Sequence, residues 1–385
     1  MRLLVITDKL LPSDHSFVQG VLQTALPALG VEVTFFGFSH TRHGRWGEGG
    51  VRYRAFRPWP GGVAAEALQL VARFVPLLLG RARYDAVFTR NDPVALLLGR
   101  LYRARHRRAR HAHQISFLHA EGLLAQGARG GARLKAYGDL LLRNALLPGV
   151  DRVFAVSAQM ARDLRRRHPR MGARLDHLPL GVLPADFEGA LPYEARPIEA
   201  AYVGTLGAAR RLEVVVEAVA RYNADHGPLT LHVWGASHDP QDDEALRGHV
   251  ARLGMQQRVL LLGRLPRAEV LERLKRTQVG LCAIPPEGVF VHSSPTKLME
   301  DMAAGCCVVA TSGIDDQERI VRESGGGVLV AFTPEAIAAG LRRALGDPTF
   351  AARAAARGRA YILEHRDYAA MARKVKRLLL DREGA

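Results

Sequence analysis

One stretch narrows the choice of fold more than any other. Residues Glu287 to Thr311, EGVFVHSSPTKLMEDMAAGCCVVAT, read as a loop, a short helix, a tight stop and a buried strand. Ser294 is a good N-cap, Pro295 suits the first helical position because its missing N–H would lack an intrahelical acceptor there anyway, and Gly305 can take the left-handed conformation that closes a helix. The spacing predicts a helix from about Pro295 to Ala304. Its N-terminus would turn unpaired N–H groups and a partial positive charge toward the end of the preceding strand, with Lys297 in the first turn. Such a terminus suits an anion. Lys297 and Glu300 lie three apart on one face, so a phosphate and a pair of sugar hydroxyls could be met together; the plain alternative is an exposed Lys–Glu pair worth about 0.2–1 kcal/mol.

The same alternation runs through the chain. RLLVITD (2–8) reads as a strand, followed by a loop with Pro12, Ser13, Asp14 and His15, a helix from about Phe17 to Leu29, and the strand VEVTFFGF. This strand–helix–strand order belongs to parallel sheets. Gly20 stands alone, without the spaced glycines of a dinucleotide fingerprint, which speaks against a redox cofactor at this turn. YDAVFTR (84–90) and HQISFLH (113–119) are further buried strands, placing Arg90, Asn91 and His119 at the carboxyl edge where open α/β sheets bind ligands. VDRVFAVS ends a strand at Ser157. Pro179, Gly181, Pro184, Gly189, Pro192 and Pro197 then make 183–197 the expected linker between a domain at 1–182 and another at 198–365.

The second domain restarts with IEAAYVGTL and a helix near Leu212 to Tyr222. Arg210 and Arg211 stand at that helix entry beside Gly204 and Gly207, where glycines permit close backbone approach and guanidiniums can bond two oxygens of a diphosphate. A basic helix start works against the helix dipole, itself a reason to expect an anion. LTLHVWG (229–235) and RVLLLGRL (258–265) alternate with helical segments at 244–253 and 267–276, which puts the Gly263–Arg264 turn at the sheet edge. HDPQDDE (238–244) reads as a solvated loop and helix start rather than a metal site. GGGVLV is a last strand after an Asp315–Glu318 loop, and helical patterns follow from Pro334 to Leu345 and from Ala351 onward.

With 385 residues, 48% hydrophobic and 24% charged, the chain can bury two cores. Cys282, Cys306 and Cys307 form neither a disulfide framework nor a metal spacing and read as buried thiols of a reducing compartment. The first apolar run is too short for a secretory segment, and no later stretch reaches membrane-spanning length, so a cytoplasmic protein is expected. Residues 1–190 carry 28 Lys and Arg against 14 Asp and Glu; residues 191–385 carry 26 against 24. This surplus favours an anionic partner for the N-terminal half: a membrane surface, a phospholipid-linked acceptor or nucleic acid. RLYRARHRRARHAH (100–113) reads either as a solvated face or as a basic helix leaning on a bilayer, with Leu101 and Tyr102 as apolar contacts. RFVPLLLGRAR (73–83) adds an apolar patch in which Pro76 and Gly80 speak against a long regular helix.

The segment SSPTKLMEDMAAGCCVVAT resembles the SPxKxxEyMAxGxPVVat block of the retaining glycosyltransferases of family four, the group-one set with a GT-B fold. YVGTLGAARRLEVVVEAV (Tyr202 to Val219), VDRVFAVSAQM and LPLGV resemble further blocks of that family. The resemblance implies an α/β protein of GT-B type: two Rossmann-like parallel-sheet domains facing across a cleft, with a last helix at about 366–385 packing back on the first. It implies transfer of a sugar from a nucleotide sugar to a hydroxyl acceptor, glycan or lipid-linked, without a metal or other cofactor and without nucleic acid. Lys297 and Arg210 would hold the diphosphate, with Arg211 and the backbone around Ser294, Pro295 and Thr296 beside them. Glu300 would grip the ribose, Gly204 and Arg264 would lie along the nucleotide, and His119 would contact the sugar. Ser16 lies in the first loop, which faces the transferred sugar. His292 stands where the family has a first glutamate, Thr205 where it has an arginine, and Leu183 where it has an aspartate. An epimerase of the same fold, or a nonenzymatic basic protein binding lipid or nucleic acid, are the alternative readings.

Overall fold

The computed structural model describes residues 1–7, 10–60, 62–80 and 83–379, the Val63 side chain excepted. In chain order its strands are β1 (Arg2–Ile6), β2 (Glu32–Phe38), β3 (Gly44–Glu48), β4 (Val51–Phe56), β5 (Ala86–Arg90), β6 (Arg110–Ile115), β7 (Arg152–Ala155), β8 (Leu175–His177), β9 (Ile198–Val203), β10 (Leu231–Trp234), β11 (Val259–Leu261), β12 (Thr277–Cys282), β13 (Cys307–Thr311) and β14 (Gly327–Val330). They form two sheets, ordered β3-β4-β2-β1-β5-β6-β7-β8 and β11-β10-β9-β12-β13-β14. The second is parallel throughout, with β12 between β9 and β13, so that Val279 faces both Ala200 and Cys307. In the first only β3 runs antiparallel, joined to β4 through Gly49 and Gly50, both at positive φ. Continuous apolar runs fill the central strands because helices cover both faces: Leu3 to Ile6 of β1 and all five residues of β13 are buried.

The chain divides into two compact units. The first is Met1–Pro179 with the C-terminal segment from Tyr368; the second is Leu180–Asp367. The helix Tyr368–Leu379 joins the first unit through a Ser16 to Tyr368 hydroxyl contact of 3.0 Å and a Lys376 bond to the Leu29 carbonyl. A Cβ on Gly20 would lie 2.0 Å from the Tyr368 ring, so the lone glycine of the first helix is a packing contact. Leu380 and the residues after it lie outside the described residues. The stretch 183–197 holds two short turns, Pro184–Phe187 and Tyr193–Ala195, and belongs to the second unit.

Several local expectations need correction. Pro76 sits inside one continuous helix, Gly62–Leu79, where the lost N–H bond is tolerated near the C-terminal end; Arg81 and Ala82 of the 73–83 patch lie outside the described residues. The strand expected at 113–119 is β6, which starts at Arg110 and stops at Ile115. The basic run 100–113 is therefore no single face: it spans a helix end, a turn and a buried strand. Tyr102 is fully buried, its hydroxyl accepting from the Tyr84 N–H, and offers no surface contact. Ser157 is an N-cap, accepting from Met160 N, because β7 ends at Ala155. Asp315 to Glu318 open the helix Asp315–Ser324, where three carboxylates suit the dipole. Among the described residues no helix is long and apolar enough to cross a membrane.

Candidate functional site

In the second unit three strand ends meet at the carboxyl edge of the sheet. The Gly204 N–H donates to the Trp234 carbonyl at 3.0 Å, and the Gly235 N–H to the Gly263 carbonyl at 2.8 Å. A Cβ on Gly235 would stand 1.7 Å from the Gly204 oxygen, and its φ of +153° is one that side chains rarely adopt. Close backbone approach here demands glycine.

Against this edge lies the helix Thr296–Ala303. It starts one residue later than expected: Pro295, in extended backbone, is the capping position and supplies no side-chain bond. Ser294 is committed elsewhere. Its hydroxyl accepts from Leu180 N at 3.2 Å and bonds Asp316, whose pKa burial would raise but which Arg366 and Ser294 hold below its ordinary value. At the other end Gly305 takes φ +81°, and the buried Arg196 guanidinium bonds the carbonyls of Thr277, Ala304 and Gly305 at 2.6–2.9 Å. An arginine from the expected linker thus closes the helix whose other end meets the three glycines.

Lys297 reaches over the Tyr202 ring, its Nζ 3.9 Å from the centroid and close enough to Gly204 that an added Cβ would sit 3.3 Å away. The ammonium is buried and has no hydrogen-bond acceptor among the described residues. A buried charge with three unused donors is costly unless an anion meets it. One turn on, Asp301 is 1% exposed with both carboxylate oxygens likewise unbonded. Burial pushes its pKa up to about 8 despite Lys297, so it is protonated at neutral pH.

Glu300 is buried and accepts from Arg267 at 2.8 Å, while Arg267 also bonds Asp186 at 3.0 Å. Burial outweighs Arg267 and leaves the Glu300 pKa raised. Removing Glu300 would leave the partly buried Arg267 with Asp186 as its remaining carboxylate partner, so Glu300→Ala perturbs this pairing as well as any ligand contact. Arg210 donates to the Thr205 hydroxyl at 3.4 Å and stacks 4.4 Å over Phe290, in the turn Gly288–His292 that carries His292. Burial pushes the Cys282 thiol pKa up, and the charges of Lys297 and Arg210 oppose that rise. Arg211 turns away: at φ +49° it pairs with the exposed Glu287 at 3.4 Å. Arg264 is exposed and has no hydrogen-bond or ion-pair partner among the described residues. Thr296 begins the helix, half-buried. The structure therefore gathers Gly204, Lys297 and Arg210, engages Glu300 with Arg267, and leaves Arg211 and Arg264 outside.

The sequence reading missed Arg267, Arg196 and Asp301. Arg267 opens the helix Arg267–Leu274, the same dipole-defying placement that singled out Arg210, and could have been found by it. Asp301, an acid inside an apolar helix, was visible but ambiguous. Nothing local announced Arg196.

In the first unit His119 opens the helix His119–Ala125 with an exposed ring 4.8 Å from Phe117, and with Asn91 it lines a cavity of about 620 Å³. Arg90 is 1% exposed and donates to Gln114 Oε1 and Ser116 Oγ while meeting His15, so it supports the sheet edge rather than its rim. Ser16 is buried against Tyr368, a correction to its expected place before the sugar: its hydroxyl serves the C-terminal helix. Among the described residues no three His, Cys, Asp or Glu side chains stand close enough to hold a metal ion, and the three cysteines are buried and unpaired.

Residues 20–181 match the family model of the glycosyl transferase 4-like domain, and residues 190–361 that of the glycosyl transferases group 1. Between them these cover most of both units, and the chain belongs to the group-one glycosyl transferases, with a GT-B fold. Solved structures agree in fold across nearly the whole chain. A sucrose-phosphate synthase from Thermosynechococcus elongatus superposes with a TM-score of 0.74 at 19% identity, covering 98% of each chain. Anabaena Alr3699/HepE in complex with UDP and glucose gives 0.72 at 16%, covering 98% of this chain and 99% of that one. An E. coli chain described as trehalose-6-phosphate, bound with UDP-2-fluoro glucose, gives 0.73 at 13%, covering 99% of each. No curated protein sequence matches the chain.

Proposed function

We propose that this chain is a retaining glycosyltransferase that moves a sugar from a nucleotide sugar to a hydroxyl acceptor. The observation that carries the reading is the Lys297 ammonium, buried without a hydrogen-bond acceptor at the N-terminus of a helix and beside three strand-end glycines. A diphosphate supplies what that group lacks. The demanding step is departure of the nucleoside diphosphate: the bond from the anomeric carbon to the phosphate oxygen breaks, the acceptor oxygen bonds the same face, and the acceptor proton passes to the departing oxygen. Lys297, Arg210 and the first-turn N–H groups at Thr296 stabilise the charge that grows there, in fixed positions that need no rearrangement. Glu300, oriented by Arg267, holds the ribose. His119 and His292 touch the sugar or the acceptor, and no metal or further cofactor takes part.

The acceptor is a glycan or a lipid-linked hydroxyl compound, and the basic first unit rests against an anionic membrane from the cytoplasmic side. Uridine diphosphate is the first nucleotide to try, since the HepE neighbour is in complex with UDP and glucose and the E. coli neighbour is bound with UDP-2-fluoro glucose. Thermal-shift measurements with uridine, guanosine, adenosine and thymidine diphosphates identify the base, because a ligand bound by the native state raises its melting temperature. With the matching sugar nucleotide, the product's anomeric configuration follows by NMR. A retained configuration supports the reading. An isomerised sugar formed without acceptor, or no response to any nucleotide, contradicts it.

A further inference from the structure

A cavity of about 1100 Å³ in the first unit opens between the β3–β4 hairpin and the helix Gly62–Leu79. Arg45, Arg54, Arg57 and Arg73 line it, and no carboxylate does. None of the four pairs with a carboxylate among the described residues. Arg73 is stacked 5.5 Å over Phe56, and the buried Gln69 pins the opposite wall by bonding the Arg57 carbonyl and the Trp59 N–H at 2.9 Å each. Four free guanidiniums on an apolar, aromatic wall fit a ligand with a phosphate head and a hydrocarbon body.

The outside of the same helix points to where such a ligand resides. Leu68, Val71, Val75 and Leu79 recur at helical spacing and are 36–68% exposed. The helix Gly130–Leu146 presents Leu134, Tyr137 and Leu141 at 46–76%. The helix Pro93–Arg105 packs between these two, because the steps β4 to β5 to β6 to β7 all run one way along the sheet and right-handed crossovers put their helices on one face. Exposed Arg105, Arg107 and Arg108 follow at its end. An apolar ridge edged by arginines, on helices too short in apolar length to span, is the pattern of a surface lying in a bilayer interface.

We propose that this cavity binds the phosphate head of a bilayer lipid, with the ridge of the two helices seated among the acyl chains. The neighbouring cavity that holds His119 and Asn91 shares His40 and Pro58 with this one. On the glycosyltransferase reading, the lipid is thereby the acceptor, its hydroxyl-bearing part extending toward His119.

The test uses the full chain without any nucleotide, so its failure leaves the donor site untouched. Sedimentation with vesicles of phosphatidylcholine, with and without phosphatidic acid, measures docking; titration calorimetry with short-chain phosphatidic acid and with inorganic phosphate measures the cavity alone. All substituted residues are exposed, so the variants keep the fold. Phosphatidic acid is expected to strengthen vesicle binding. Each arginine near an anionic surface contributes about fivefold, so Arg57→Ala with Arg73→Ala weakens that binding about 25-fold and abolishes the short-chain signal. Val75→Asp with Leu79→Asp loses the vesicles yet keeps the short-chain lipid. The proposal is overturned if phosphatidic acid makes no difference, if the arginine variant binds as wild type does, or if inorganic phosphate binds as tightly as the short-chain lipid.

Discussion

Two units built on one plan hold charge in opposite ways. The first carries 33 Lys and Arg against 14 Asp and Glu, a net +19; the second carries 21 against 24, a net −3. Yet the family's nucleotide site is expected in the second. There the attraction is local: one buried ammonium over Tyr202, one guanidinium over Phe290, a helix end and bare backbone at Gly204 and Gly235. In the first unit the buried cation at the sheet edge, Arg90, is bonded into the fold, and the free arginines lie in a surface cavity. Net charge sets what a surface attracts over a distance, screened by salt; an unmet buried donor sets what binds at one point.

The largest expected effect falls on the second unit's cation. Lys297→Met lowers kcat/KM for the nucleotide sugar by roughly 10²–10³-fold in steady-state assays, the usual cost of removing one donor to a developing negative charge. Near-normal turnover would erase the contrast between the units. Next comes Arg196→Ala, which leaves the Thr277, Ala304 and Gly305 carbonyls without their donor; urea unfolding should show a loss of about 3 kcal/mol.

A pH dependence sharpens the comparison further. Asp301 has a folded pKa of about 8 against about 3.9 in the unfolded chain, so the native state keeps a proton that the unfolded state gives up. Its stabilising contribution is full below about pH 4 and lost as pH rises through about pH 8. Melting temperatures of wild type and Asp301→Asn across that window should diverge in the variant's favour toward the alkaline end; parallel curves would show Asp301 ionised throughout. The smallest effect is at Arg264, exposed and without a partner among the described residues, where Arg264→Ala should change stability by less than about 0.5 kcal/mol.

Much of the fold was legible because parallel strands buried on both faces read as unbroken apolar runs, as in β1, β12 and β13. The hairpin β3–β4 was missed because GRWGE is exposed and polar, an edge held by Trp46 stacking on Tyr53 rather than by burial. The site was legible where function breaks a local rule, as with Arg210 at a helix start. It was not where a distant residue supplies the contact. Arg196 closes a helix more than one hundred positions ahead of it, and Asp186 joins Glu300 only through Arg267. Ser294 looked like a cap because Ser before Pro-Thr usually is one; the Leu180 amide, from a strand exit far back in the chain, took its hydroxyl instead.

The most direct measurement is the melting temperature of the full chain titrated with uridine diphosphate and the other nucleoside diphosphates, for wild type and for Lys297→Met. One nucleotide should raise the wild-type temperature with increasing concentration and leave the variant's unchanged, though the variant melts cooperatively. A variant stabilised as strongly as the wild type would mean that the Lys297 ammonium does not meet the diphosphate, and the local account of the second unit would fail.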